Sequence, residues 1–124
     1  MGWQLDGTRS IYLQLVDRIV RRIVTGVYPP GSRMASVREL AEEAGVNPNT
    51  MQRALAHMEE LGVLYTQRTA GRFVTEDSEK IYLLREEEGQ RAAKDFAASM
   101  KELGYTTEEL IALLQKTASG EEEA

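Results

Sequence analysis

The 124-residue sequence has no cysteine, one histidine, one tryptophan and three prolines. Without cysteine there can be no disulfide, no thiolate metal site and no cysteine nucleophile, which suits a reducing, cytoplasmic setting. The lone His57 lacks a carboxylate and a nucleophile together as catalytic partners, so it makes a poor catalytic or metal-binding centre. No stretch approaches the ~20 consecutive apolar residues of a membrane span. The opening MGWQLDGTRS lacks the charged and apolar regions of a secretion signal. There is no glycine-rich phosphate loop and too little chain for a deep cleft. An enzyme is therefore a poor reading, and no cofactor, metal or membrane partner is expected. The Glu86-Glu87-Glu88 run reads as a solvated helix face rather than a metal site.

There is no positive excess overall, since 15 Lys/Arg against 20 Asp/Glu leave a net charge of −5, but the charge is unevenly distributed. Residues 1–75 carry nine Lys/Arg, all of them arginine, against seven Asp/Glu, a net of +2. Residues 76–124 carry six against thirteen, a net of −7. For a partner such as nucleic acid, the sign that matters is that of the contacting surface. A net of +2 is a weak footprint, so affinity per protomer should be modest and pairing of two protomers needed.

Residues 36–58, SVRELAEEAGVNPNTMQRALAHM, are the most informative stretch. Val37, Leu40, Ala41 and Ala44 recur at helical spacing, and Gly45 follows as a glycine commonly does just past a last turn. Val46 reads as a buried plug in the turn. Asn47 is a good N-cap and Pro48 a good first helical residue. The second helix is expected to bury Met51, Ala54, Leu55, Met58 and Leu61. That leaves Asn49, Thr50, Gln52 and Arg53 near its start on the outer side. Two short helices joined this way form a helix-turn-helix, whose second helix offers polar and basic side chains to base edges. His57 falls off the buried stripe, which predicts an exposed or wing-packing side chain.

SVRELAEEAGVNPNTMQRAL, followed by GVLYTQRTAGRFV, resembles the winged helix-turn-helix of the GntR family of bacterial transcription regulators across roughly residues 10–75. The short chain after it is similar to the YtrA-like subfamily. The resemblance implies that Arg38 holds the family's base-reading position; its planar fork suits guanine O6 and N7. The plainer alternative is a surface pair with Glu42. Ser36 would cap the first motif helix and touch a phosphate. Asn47, Asn49 and Thr50 would offer hydrogen bonds at a helix N-terminus, and Asn47 could equally be only a cap. By the resemblance Gln52 faces bases, and Arg53 serves a phosphate or an internal ion pair. Pro48 stands where other members carry a basic residue, so one base contact is expected to be missing.

Around this centre, Ile11, Leu15, Ile19 and Ile23, widened by Val16, Val20 and Val24, predict a first helix from Ser10 to about Thr25. Arg18, Arg21 and Arg22 lie off that stripe, either as a solvated face or as phosphate contacts. Residues 1–10 read as a poorly packed arm, with Trp3 and Leu5 able to stick to the body. Ser32-Arg33-Met34 is expected to be a short strand pairing with the wing. Residues 63–75 read as a β-hairpin turning at Thr69-Ala70-Gly71. In the resemblance this hairpin is the wing, with Arg68, Thr69 and Arg72 at or beside its tip. Thr69 and Ala70 replace the usual glycine and basic residue, so this wing should contact phosphates through Arg68 and Arg72 and read little sequence; the plainer alternative is that both arginines only solubilise the tip.

From Asp77 or Ser78 a long helix is expected to reach Leu103, with a kink or break near Gly89. A second helix starts in the capping box Thr106–Glu109 and ends near Thr117. The chain from about residue 118 is expected to be disordered. The fold class is thus mostly α: residues 1–76 form a winged helix-turn-helix domain with a small hairpin wing, and residues 77–124 a helical dimerisation tail. The expected partners are double-stranded DNA and a second copy of the chain, paired through residues 77–117. No residue specifies a small-molecule effector, although one could bind between tails and wings. The implied function is a homodimeric regulator, a repressor by preference, on a palindromic operator, with ABC-transporter genes the context the subfamily implies. The alternative is a winged-helix protein-interaction module without sequence-specific DNA binding.

Overall fold

The computed structural model describes residues 2–120. Five helices and one two-stranded hairpin follow in the order α1 (Ile11–Val24), α2 (Val37–Ala44), α3 (Pro48–Glu60), β1 (Leu64–Gln67), β2 (Gly71–Val74), α4 (Ser78–Glu102) and α5 (Thr107–Ala118). They fall into two compact units, Met1–Arg85 and Glu86–Ala124. The first turns of α4 belong to the first unit, with Leu84 in its core and Ile81 packed against it.

Local sequence accounts for most of the ends. The Ser10 hydroxyl caps α1 by accepting from the Leu13 N–H at 3.2 Å. Ser36 and Glu39 form a reciprocal capping box on α2. That helix stops at Gly45, whose φ of 77° is left-handed backbone that glycine adopts without a Cβ penalty. Asn47 caps α3, with Pro48 in its first turn. Asp77 Oδ1 starts α4 by accepting from the N–H groups of Glu79 and Lys80. Thr106 and Glu109 repeat the capping box on α5.

The core of the first unit joins Leu15, Ile19, Val20 and Ile23 of α1 to Leu40, Ala41 and Ala44 of α2. Met51, Ala54, Leu55 and Met58 of α3 fill the space between them. Each large apolar side chain buried this way contributes about 1.5–3 kcal/mol. Leu64 and Val74, opposite one another in the hairpin, close the floor. Leu61 is not buried as expected: it is the C-cap residue, the chain turns away at Gly62, and 46% of its surface stays exposed.

The hairpin is antiparallel, with Leu64 opposite Val74 and Gln67 opposite Gly71. Tyr65 and Phe73 stack at 5.7 Å between ring centroids. Arg33 bridges to Phe73, flanked by Met34 N–H to Arg72 O and Val74 N–H to Ser32 O. The expected short strand is therefore a single bridge. The arm is not loose: Trp3 is buried and Leu5 packs against the core.

In the second unit, α4 continues without interruption through Gly89. The expected break is absent, because the cost of one glycine, about 1 kcal/mol, is small against a helix of 25 residues. Met100 is buried, whereas Phe96, Leu103, Ile111 and Leu114 are exposed. Residue 118 still belongs to α5 and Ser119 is its C-cap. The rest of the expected disorder, at residues 121–124, lies outside the described residues.

Candidate nucleic-acid interface

The expected contacts divide into exposed groups and groups already engaged. Arg38, in the first turn of α2, is exposed. It takes part in none of the ion pairs formed among the described residues, so the alternative pairing with Glu42 is not made. Two residues earlier, the Ser36 hydroxyl accepts from the Glu39 N–H at 3.1 Å. One lone pair serves the cap, and the hydroxyl proton is shared with the Glu39 carboxylate. The Glu39 carboxylate returns the bond to the Ser36 N–H at 2.9 Å. The bond from the Ser36 N–H, and after it that from the Ser36 hydroxyl, hold its carboxyl below the usual range.

At the start of α3, Asn47 Oδ1 accepts from the Asn49 N–H at 2.7 Å. That bond uses the carbonyl side of the amide and leaves its N–H₂ free. Asn49 and Gln52 are exposed and Thr50 is half-buried. The macrodipole places partial positive charge at this end, which favours an anion there. Arg53 is exposed but engaged, with its guanidinium 4.1 Å from the centre of the Tyr12 ring. His57 meets the same ring edge-on at 6.1 Å, and Glu60 at 3.7 Å. It therefore packs toward α1 rather than toward the wing.

In the wing, Arg68 and Thr69 are exposed at the turn. Arg72 is different. Its Nε donates to Glu59 Oε2 of α3, and its side chain is only 16% exposed. Thr66 donates its hydroxyl to the same Glu59 oxygen at 2.8 Å. Burial raises the Glu59 pKa, but the bonds from Arg72 and Thr66 outweigh it and hold the carboxyl below its ordinary value. Instead of a free tip arginine, Arg72 is a strut tying the wing to α3.

Two groups that residue patterns do not single out complete the surface. Arg33 donates from Nε to the Ala70 carbonyl at 2.9 Å, latching the wing turn. Gly71 makes room for this latch, since a Cβ there would lie 3.0 Å from Arg33 Nε, and its φ of 115° suits glycine alone. Between α2 and the wing lies a cleft of about 270 Å³ lined by Arg33, Ser36, Thr66 and Arg72 among others. Glu59 is the second. Its partners are seven and thirteen residues away in sequence, a spacing with no local signature.

The profile of the family described as "Bacterial regulatory proteins, gntR family" matches residues 11–74, α1 through the wing. The chain belongs to the GntR family. It is 40% identical over 111 residues to the HTH-type transcriptional regulator YhcF of Bacillus subtilis, covering 90% of this chain and 92% of YhcF. It is 34% identical over 77 residues to the HTH-type transcriptional repressor YtrA of the same organism, covering 60% and 59% of the two chains. The solved GntR family transcriptional regulator from Listeria monocytogenes superposes with a TM-score of 0.85 at 40% identity, over 90% of this chain and 98% of that one. As a GntR member the chain is a DNA-binding transcription regulator and not an enzyme. Among the described residues, no helix is long and apolar enough to cross a membrane.

Proposed function

We propose that this GntR regulator binds a palindromic operator as a homodimer and represses the genes beside it. The observation that carries the reading is the set of exposed, uncommitted polar groups on the first turn of α2 and the first two turns of α3. Arg38, Asn49 and Gln52 face solvent while the opposite sides of the same helices fill the core. In this reading Arg38 bonds guanine O6 and N7, and Gln52 reads a second base edge. Ser36, Asn47 and Thr50 hold the phosphate backbone at the helix N-termini. Arg68 and Thr69 touch the backbone from the wing. Arg53 and Arg72 support the surface from behind, through Tyr12 and Glu59.

Two copies are needed because one helix-turn-helix reads only a few base pairs. Pairing sets half-sites about 34 Å apart, one helical turn. The exposed Phe96, Leu103, Ile111 and Leu114 support pairing through residues 77–117. The repressor assignment is supported by the designation of YtrA, and an ABC-transporter operon is the context its subfamily suggests. Action on the chromosome implies a cytoplasmic protein. A small-molecule effector would release the operator by altering the angle between the two DNA-reading heads.

The test is selection of duplexes from a random library with the full-length protein, followed by binding measurements on the selected sequence. An inverted repeat bound by two protomers is the expected outcome. Recovery of no consensus, or binding by one protomer with equal affinity for selected and scrambled duplexes, contradicts the proposal.

A further inference from the structure

The segment before α1 is built into the first unit more firmly than its composition suggests. Trp3 is 9% exposed and belongs to the core. Its indole Nε1 donates to Glu43 Oε2 at 3.1 Å, and its backbone N–H donates to the Ala44 carbonyl at 3.2 Å. The Ala44 carbonyl lies in the last turn of α2, where carbonyls have no helical partner. Gly2 must come so close to make this contact that a Cβ on it would lie 2.5 Å from the Ala44 oxygen.

Arg22 of α1 lies 4.6 Å from the centre of the Trp3 ring and bonds both Glu43 and Tyr28, at 2.9 and 2.8 Å. Further along, the Gln14 side chain pairs with the Asp6 backbone in both directions, each bond 2.7 Å. The contacts of Trp3 and Arg22 converge on the last turn of α2, while Gln14 holds the segment against α1. The next residues, Gly45 and Val46, are the turn from which α3 is launched, and Gly2 and Trp3 border one groove with Asn47 and Thr50.

We infer that residues 2–9 are a brace that sets the direction of the DNA-reading helix. The brace pins Glu43 and Ala44 against α1, so the Gly45 turn can deliver α3 at one angle only. Trp3 and Gly2 are positioning residues and need not touch DNA themselves. Arg22, though basic, is consumed by the brace. The inference rests on the reading that α3 binds DNA.

The test uses the full chain carrying Gly2→Ala, which leaves every core side chain in place, with Trp3→Ala and Trp3→Phe beside it. Trp3 is the single tryptophan, so its emission reports whether the segment is docked. Binding is measured on a duplex selected by the wild-type protein and on a scrambled duplex of equal composition. In Gly2→Ala the expected result is a red-shifted emission and about a tenfold loss on the selected duplex, comparable to losing one base contact. Affinity for the scrambled duplex should stay within about twofold, because that binding is set by phosphate charge rather than helix direction. Trp3→Ala should reproduce the selective loss, and Trp3→Phe should recover part of it. A merely structural role would weaken binding to both duplexes alike, through the folded fraction. An unshifted emission in Gly2→Ala contradicts the close approach, and a red shift with unchanged selectivity contradicts the brace. Wild-type protein that discriminates between no duplexes would instead sink the functional reading beneath it.

Discussion

At the scale of single residues, the arginines of the first unit separate by what already holds them. Arg22 lies against Trp3 and bonds Glu43, Arg53 covers Tyr12, and Arg72 bonds Glu59. Arg38 has no ion-pair partner among the described residues. Arg38→Ala should therefore lower affinity for a selected operator by more than about tenfold, the range of one bidentate guanine contact, and relax the preference at one base position in a repeat selection. Arg72→Ala should act differently, loosening the wing and lowering thermal stability. The carboxylates give that stability a pH signature. Glu43 is held low first by its bond from Arg22 and then by that from Trp3, and Glu59 by the bonds from Arg72 and Thr66 against an opposing effect of burial. A depressed native pKa stabilises the fold above the unfolded value, about 4.3 for glutamate. The contribution disappears as pH falls through the lower native value. Acid unfolding of wild type should thus show a loss below about pH 4.3 that Glu59→Gln and Glu43→Gln each reduce, as followed by circular dichroism.

At the scale of elements, α2 and α3 were legible because their ends are written locally. Ser36 with Glu39, Asn47 with Pro48, and the intervening Gly45 define two helices and their turn within a dozen residues. The wing was legible as a hairpin, but the role of Arg72 was not, because Glu59 lies on another element and only packing brings it near. Trp3 was ambiguous for the same reason: its partner Glu43 is 40 positions away. The interruption expected in α4 overstated one glycine, since a helix tolerates the cost of about 1 kcal/mol. A Cβ on Gly89 would meet nothing within 4 Å. Gly89→Ala should accordingly stabilise α4 by about 1 kcal/mol, read as a higher denaturant midpoint at unchanged operator affinity. Met51 is fully buried between α3 and the rest of the core. Met51→Ala should cost about 2–5 kcal/mol in the same assay.

At the scale of the whole molecule, charge is segregated along the chain rather than balanced. The DNA-reading part has a small positive excess and the tail a large negative one, which is why the total of −5 misleads. A weak positive excess makes each head a modest binder, and the proposed pairing compensates by presenting two heads at once. The most direct test of this account is a salt titration of binding to a selected inverted repeat, from about 50 to about 200 mM, comparing wild type with Arg38→Ala. If a dimer neutralises about six phosphates, log affinity should fall against log salt with a slope of about −5. Arg38→Ala should shift the line down by at least about tenfold while leaving its slope nearly unchanged, as loss of a base contact requires. A wild-type line indifferent to salt, or an Arg38→Ala line lying on top of it, would contradict the account.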